Sequence, residues 1–282
     1  MGEAGHKVIV ADADPTFGLN MTRFSKYVHS FHLLNSTKTY IEDLIAIFKA
    51  EKVDGFIPVS HIQLSINDSY ASKGMKMSAY KTFGTLAIPD PTLVEELDNK
   101  FQFMAKCQKF GLSVPDFRHC TKNLEFDLRQ FHAQNLFNGE KSYFLKPLEL
   151  QRTERMDFTR IPAAPAKFED YIENRLKYKD QSVPYILSEF IEGQEYAANI
   201  LCHQGKLLMC QIVPSTAILQ NYQTIDNPKI TKWIETFVKE TNLSGLLCFD
   251  FLEDQAKNVY CIECNPRPHS AIVTINSAEE VN

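Results

Sequence analysis

The chain reads as a mixed α/β protein in two parts: a parallel α/β unit over residues 1–90, then a larger α+β unit over 91–282. Three observations predict this. In the first ninety residues, short apolar runs alternate with amphipathic helical patterns, as in a parallel sheet covered by helices. From residue 184 onward, strand-length apolar runs follow one another across tight polar turns, the pattern of an antiparallel sheet. The 282 residues are 44% apolar and 23% charged, enough to bury two cores and outside the range of disordered or fibrous chains.

Taken in order, "HKVIVAD" (6–12) is a strand closing on an acid, and "YIEDLIAIFKAE" (40–51) places Ile41, Leu44, Ile45 and Phe48 on one helical face. "DGFIPVS" (54–60) reads as a second short strand, giving a parallel strand–helix–strand unit. The opening "GEAG" looks like a helix end with no strand before it, so this unit is expected to lack its first strand. In "PDPTLVEELDNKFQFMAKCQKFGLSVPDF" (89–117), Thr92 and Glu95 form a potential capping box, and Phe101, Met104, Ala105 and Gln108 recur at helical spacing until Gly111 and Pro115. A strand "SYFLKP" (142–147), a helix "KFEDYIENRLKY" (167–178) and a strand "PYILSEFI" (184–191) come next. "EYAANILCHQGKLLMCQIV" (195–213) is a hairpin about Gln204-Gly205, and Asn227-Pro228 opens an amphipathic helix carrying Ile230, Trp233, Ile234, Phe237 and Val238. A last pair, "GLLCFDFL" (245–252) and "VYCIECN" (259–265), is joined by "EDQAKN".

The formal charge of −5 argues against a surface made to neutralise nucleic-acid phosphates. Seven cysteines in apolar segments, without the spacing of a small secreted domain, read as free thiols in a reducing compartment. The longest apolar runs are strand-sized and no signal peptide is recognisable, so no membrane partner is expected and a cytoplasmic location is.

The chemistry gathers in "VYCIECNPRPHSAIV" (259–273). Strand alternation puts Cys261, Glu263 and Asn265 on one face and Tyr260, Ile262 and Cys264 on the other. Asp250 is the one charge within an apolar strand, and a buried carboxylate without a partner costs about 3–5 kcal/mol. If the final pair is an antiparallel hairpin whose opposed positions sum to an odd number, Asp250 shares the face of Glu263 and Asn265; a bulge would alter this. Two carboxylates and an amide oxygen form a hard-oxygen set suited to Mg²⁺, with Mn²⁺ an acceptable substitute, while pairing with nearby Lys or Arg is the structural alternative. Arg267 follows where it can grip an anion. Cys261-x-x-Cys264 has no second cysteine pair, and alternation separates its sulfurs, which argues against a zinc or redox site.

These segments resemble the ATP-grasp superfamily, in particular the carbamoyl-phosphate-synthetase-like ligases. The likeness rests on Asp250 followed by "ECNPR", on "DNKFQFMAKCQKFGLSVPDF", on "YFLKP" and on "LSEFIEGQEYAANI", in that order along the chain. It implies a Rossmann-like pre-ATP-grasp domain over 1–90 and an ATP-grasp domain over 91–282 with a small lobe at about 140–190. It also implies Lys100 and Lys146 on the ATP phosphates, main-chain bonds to adenine from Glu189, Phe190 and Ile191, ribose hydroxyls on Glu195, and a metal on Asp250, Glu263 and Asn265. Arg267, His269 and Ser270 would line the acceptor pocket, with Arg267 and His269 as catalytic candidates.

The family's Gly-rich phosphate loop is not matched: "PLELQRTERMDFTRIP" (147–162) has no glycine but carries Arg152, Arg155 and Arg160. "NPRPHSAI" is most similar to mycosporine-glycine synthase-type ligases, which would join glycine to 4-deoxygadusol. The implied activity is ATP-dependent C–N ligation of a small-molecule acceptor and an amine, through phosphorylation of the acceptor oxygen. A carboxylate–amine ligase working through an acyl phosphate, or a truncated non-catalytic ATP-binding protein, are the alternatives. A dinucleotide-dependent oxidoreductase using Asp12 is disfavoured, since no G-x-G-x-x-G precedes it. The sequence leaves oligomeric state open, a homodimer included.

Overall fold

The computed structural model describes residues 1–13, 21–34, 39–59, 64–77, 88–138, 141–148, 157–180, 182–215 and 223–274. The N-terminal unit is built on a parallel pair, β1 (Val8–Asp12) and β2 (Val28–Leu33), packed with α1 (Tyr40–Glu51) and α2 (Ser65–Met77). Its core is Leu34, Tyr40, Leu44, Phe48, Ala71 and Met75. The partner of β1 is therefore 28–33 and not 54–60. Pro58 removes a ladder donor in the middle of that run, and the described part of it forms no strand. In β2 the polar Ser30 and His32 turn to Glu51, at 2.8 and 2.9 Å, beside Lys7 at 2.9 Å. Lys7 foremost, then Ser30 and His32, hold the Glu51 carboxyl down at about 2.

The helical stretch expected after residue 92 is two helices, α3 (Pro91–Asp98) and α4 (Lys100–Lys109). Asp90, not Thr92, caps α3 by accepting the Thr92 N–H at 3.1 Å, with Pro91 in the first turn. Asn99 ends α3 and caps α4 through the Gln102 N–H at 3.1 Å. The break turns Phe103, Met104 and Cys107 inward, and Gly111 leaves α4 at φ +68°.

A three-stranded antiparallel sheet in the order β3–β5–β4 follows, made of β3 (Phe117–Cys120), β4 (Tyr143–Pro147) and β5 (Tyr185–Glu189). Helices α5 (Leu124–Ala133) and α6 (Pro165–Asn174) close its core around Tyr143, Leu145, Phe168, Tyr171, Tyr185 and Leu187. This layer begins at Phe117.

The second antiparallel sheet runs β7–β6–β8–β9, from β6 (Gly193–His203), β7 (Lys206–Pro214), β8 (Gly245–Asp254) and β9 (Val259–Asn265). Gln204 and Gly205 turn the first hairpin at φ +47° and +76°, as its sequence requires. Helix α7 (Pro228–Glu240), capped by Asn227 onto the Ile230 N–H at 3.3 Å, buries Ile230, Trp233, Ile234, Phe237 and Val238. Trp233 stacks on Phe237 with centroids 5.5 Å apart and meets Phe251 edge-on at 5.2 Å. This packing fixes one face of β8 as core and leaves the other to carry polar groups.

The β8–β9 register pairs Cys248 with Asn265, Phe249 with Cys264 and Asp250 with Glu263, sums that are odd as expected. Between Asp250 and Phe251 the register shifts, leaving Ile262 as an extra residue in β9. The bulge reverses one expectation. Cys261 pairs with Phe251 and lies with Cys264 in the aromatic core, not on the face of Glu263. All seven cysteines are free.

Candidate active site

On the polar face of the second sheet, a cavity of about 230 Å³ is lined by Glu195, Ala197, Ser215, Cys248, Asp250, Glu263, Asn265, Arg267 and His269. Neighbouring strands deliver these groups: Asp250 lies opposite Ala197 on one side and Glu263 on the other, while Asn265 lies opposite Cys248. The Asn265 Nδ2 donates to Asp250 Oδ2 at 3.0 Å and contacts Glu263 Oε1 at 3.5 Å. Arg267 points a guanidinium nitrogen at Asn265 Oδ1, 3.5 Å away.

Lys100 meets this cluster directly, and the charge of Lys146 is felt at Glu195. Lys100, at the start of α4, pairs with Glu263 Oε2 at 2.9 Å, both side chains being less than a fifth exposed. Lys146, on β4, stands with Nζ 5.0 Å from the Phe144 ring centroid, and its field lowers the Glu195 pKa. Burial nevertheless raises Glu195 overall, helped by the Glu263 charge. Asp250 is pushed well above the usual carboxylate range by burial first, then by the Glu263 and Glu195 charges. Burial and the Arg267 charge lower His269. A bound cation would offset the cost of this enclosed acid pair.

The donor set fits a hard divalent ion. Among the described residues no three His, Cys, Asp or Glu side chains group as ligands, so Asp250, Glu263 and the Asn265 amide would leave several positions to a ligand's oxygens. Lys100 now supplies the positive charge at Glu263, and Asn265 presents its NH₂ to the acids. Ligation through Asn265 Oδ1 requires that amide to turn over.

The segment after β5 is partly committed. The Glu189 N–H donates to Asp116 O at 2.7 Å and the Phe190 N–H to Ser142 O at 2.7 Å. The Glu189 carboxylate accepts from the Asp116 N–H and from Lys141, both at 3.0 Å. Among the described residues the Ile191 N–H makes no main-chain hydrogen bond. The ring of Phe190 carries the Arg160 guanidinium at 4.1 Å and meets Phe144 edge-on at 5.8 Å. Arg160 thus lies at Phe190; Arg152 and Arg155 fall outside the described residues. Glu195 opens onto the cavity that holds the acid pair, and Ser270 is exposed.

Sequence reasoning passed over Ala197, Ser215 and Cys248 in the lining, and two buried amides beneath it, Asn199 and Gln211. Asn199 lies in "AANILC" as a lone polar group in a buried strand, the same signal that drew attention to Asp250.

Two antiparallel sheets, one carrying an acid–amide cluster that Lys100 contacts, give the chain an α+β architecture. The ATP-grasp domain model matches residues 97–271, and the chain belongs to that family. It is similar in structure to an L-amino acid ligase from Bacillus licheniformis, at 16% identity and TM-score 0.63, covering 97% of this chain and 64% of that one. It is similar also to the biotin carboxylase domain of Hydrogenobacter thermophilus 2-oxoglutarate carboxylase in complex with MgADP and bicarbonate, at 14% identity and TM-score 0.65, covering 95% and 60%. A D-alanine–D-alanine ligase from Bacillus anthracis complexed with ATP aligns at 15% identity and TM-score 0.61, covering 98% and 89%. At these identities the likeness is one of fold. The chain spans less than two thirds of the length of the first two. None of the curated proteins searched matches it. No helix among the described residues is long and apolar enough to cross a membrane.

Proposed function

We propose that this protein is an ATP-dependent ligase that phosphorylates an oxygen of a small acceptor and joins the activated carbon to an amine, most simply as a carboxylate–amine ligase. The observation that carries this reading is the convergence of Asp250, Glu263, Asn265 and Arg267 on one cavity, with Lys100 paired to Glu263, in a chain of the ATP-grasp family.

In this reading residues 1–90 form the pre-ATP-grasp unit and 91–282 the nucleotide-binding unit. Lys100 and Lys146 lie along phosphate oxygens and neutralise them. The Ile191 N–H and the neighbouring carbonyls take the adenine edge, with Phe190 and Phe144 supplying apolar surface. Glu195 faces the ribose or the phosphates from the cavity mouth, and Ser270 stands at the acceptor end. Asp250, Glu263 and Asn265 would hold Mg²⁺, or Mn²⁺ in its place, which when bound neutralises charge on the transferring phosphate.

The acceptor oxygen attacks the γ-phosphorus and ADP leaves. The amine nitrogen then attacks the activated carbon, the carbon–oxygen bond breaks, phosphate departs and the nitrogen loses a proton. Arg267 holds the anionic acceptor or the transferred group, so that the protein's work is mainly positioning and charge neutralisation.

Phosphate release tested over pairs of carboxylic acids and amines checks this assignment. It should be ATP-dependent, need a divalent ion and be lost in Glu263→Ala. Full activity of that variant would remove the metal assignment, and a flat screen without MgATP binding would favour a non-catalytic protein. The narrower reading, glycine joined to 4-deoxygadusol, draws on "NPRPHSAI" and belongs in the same screen as its first pair. Size-exclusion with light scattering reads whether the protein is a monomer or a homodimer.

A further inference from the structure

Beneath the cavity, four hydrogen bonds form a closed circuit that the chemistry above does not use. The His269 N–H donates to Asn199 Oδ1 at 2.6 Å, Asn199 Nδ2 to Gln211 Oε1 at 3.0 Å, and Gln211 Nε2 to the Ala271 carbonyl at 3.1 Å. The Ala271 N–H then donates to His269 Nδ1 at 3.2 Å. Asn199 and Gln211 are 0% and 3% exposed, on the paired strands β6 and β7, where they stand opposite one another. Every bond runs in one direction round the circuit, and each amide both donates and accepts within it. Neither amide can turn over without opposing two acceptors or two donors in a buried place, which costs about 1–3 kcal/mol per unpaired group.

The direction has a chemical consequence at His269. A nitrogen that accepts from a main-chain N–H carries no proton of its own, so Nδ1 is bare and the ring proton resides on Nε2. We propose that Asn199 and Gln211 are positioning residues that lock the 269–271 turn and thereby fix His269 in the Nε2–H tautomer, facing the cavity as a hydrogen-bond donor and not as a base. Resting on the ligase reading, the donor's target is an oxygen of the acceptor or of the phosphoryl group next to Arg267. The proton lost by the amine then goes elsewhere, to solvent or to a phosphate oxygen.

Long-range ¹H–¹⁵N imidazole spectra of the full chain test this without an acceptor, with His269 assigned by its disappearance in His269→Gln. The expected result is an Nε2–H signature in the unmodified protein, lost or averaged with the Nδ1–H form in Asn199→Leu and in Gln211→Met. A proton on Nδ1 in the unmodified protein overturns the proposal whether or not the variants fold, as does an unchanged tautomer in a variant whose melting remains cooperative.

MgATP calorimetry on the same samples separates this from the functional reading. The two amide variants should bind MgATP within about threefold of the unmodified protein, since neither touches the acid pair. Absent MgATP binding in the unmodified protein removes the ligase reading and leaves the tautomer result to be judged by the spectra alone. Once an acceptor pair is found, His269→Gln, which keeps an N–H near Nε2, should exceed His269→Ala in turnover by about tenfold. Equal losses overturn the donor role.

Discussion

Asp250→Asn separates the energetic cost of the acid pair from its use. Asp250 Oδ2 and Glu263 Oε1 share the Asn265 amide at 3.0 and 3.5 Å, which together bound their separation at about 6.5 Å. Two unit charges at that distance repel by at least about 2.5 kcal/mol at an effective dielectric of about 20. Lys100, seated on Glu263, offsets part of this, leaving a net of about 1–2 kcal/mol against the folded state. Asp250 titrates well above its unfolded value, so the folded protein binds that proton more tightly than the unfolded chain. The cost is therefore absent below about pH 4, grows as pH rises towards the raised pKa and is complete above it.

Asparagine keeps the shape and an oxygen for the Asn265 NH₂ but carries no charge. Calorimetry without nucleotide should give equal melting temperatures for the two proteins at about pH 3.5, below the unfolded pKa, and a variant higher by about 3–6 °C at pH 8.5. MgATP affinity of the same variant should fall by about tenfold or more, because a carboxylate ligand has gone. A variant that melts at or below the parent at pH 8.5 would show that Asp250 is not opposed by Glu263. One that binds MgATP like the parent would refute the metal assignment.

Three further outcomes follow from named contacts. In the ligase reading Lys146→Met should lower ATP affinity by about tenfold in calorimetry while leaving the melting temperature within about 2 °C; unchanged affinity would remove the phosphate role. Asn227→Ala removes the α7 cap and the bond to Glu253 Oε2 at 3.0 Å, so thermal unfolding should register a loss of about 1–2 kcal/mol with MgATP affinity unchanged. Gly193→Ala would set a Cβ 2.0 Å from the Glu253 carbonyl oxygen, where β6 begins; a main-chain shift is forced, and both stability and ATP affinity should drop, by more than about 2 kcal/mol for the former. Unaltered melting of that variant would mean the strand entry is looser than its packing implies.

Strand alternation made much of the site legible before any coordinates. Asp250, Glu263 and Asn265 share a face because both strands are extended and their opposed positions sum to an odd number. The lone lysine in "YFLKP" and the lone acid in "LLCFDFL" were visible as polar groups in apolar strands, where burial demands a partner. The bulge was hidden, since Ile262 is an ordinary strand residue and nothing in its side chain marks an extra position.

β2 was hidden for a different reason. Ser30 and His32 break the apolar run, and what makes the strand viable is Glu51, some twenty residues further on. The division of the long helical stretch at Asn99 was concealed because the periodic residues continue across it. Asn199 and Gln211 are brought together by a register shift between Leu201 and Cys202, without which the turn at Gln204-Gly205 would set Asn199 opposite Cys210, and no residue type marks that shift.

The extra residue in β9 also bears on how this chain could change over time. Because Ile262 stands between the 253–258 turn and the acid pair, Glu263 and Asn265 take their alignment from Cys248 and Asp250 alone, independently of the hairpin's outer half. The strand works as a vernier, with two scales offset by one division. Residues added or removed at the outer turn can be absorbed on the Val259–Cys261 scale while the inner scale keeps its zero. Loss of Ile262 itself would bring Cys261 on Phe251 and Glu263 on Asp250 into one unbroken ladder, so that the two scales would move together and a change at the outer turn would reach the acid pair.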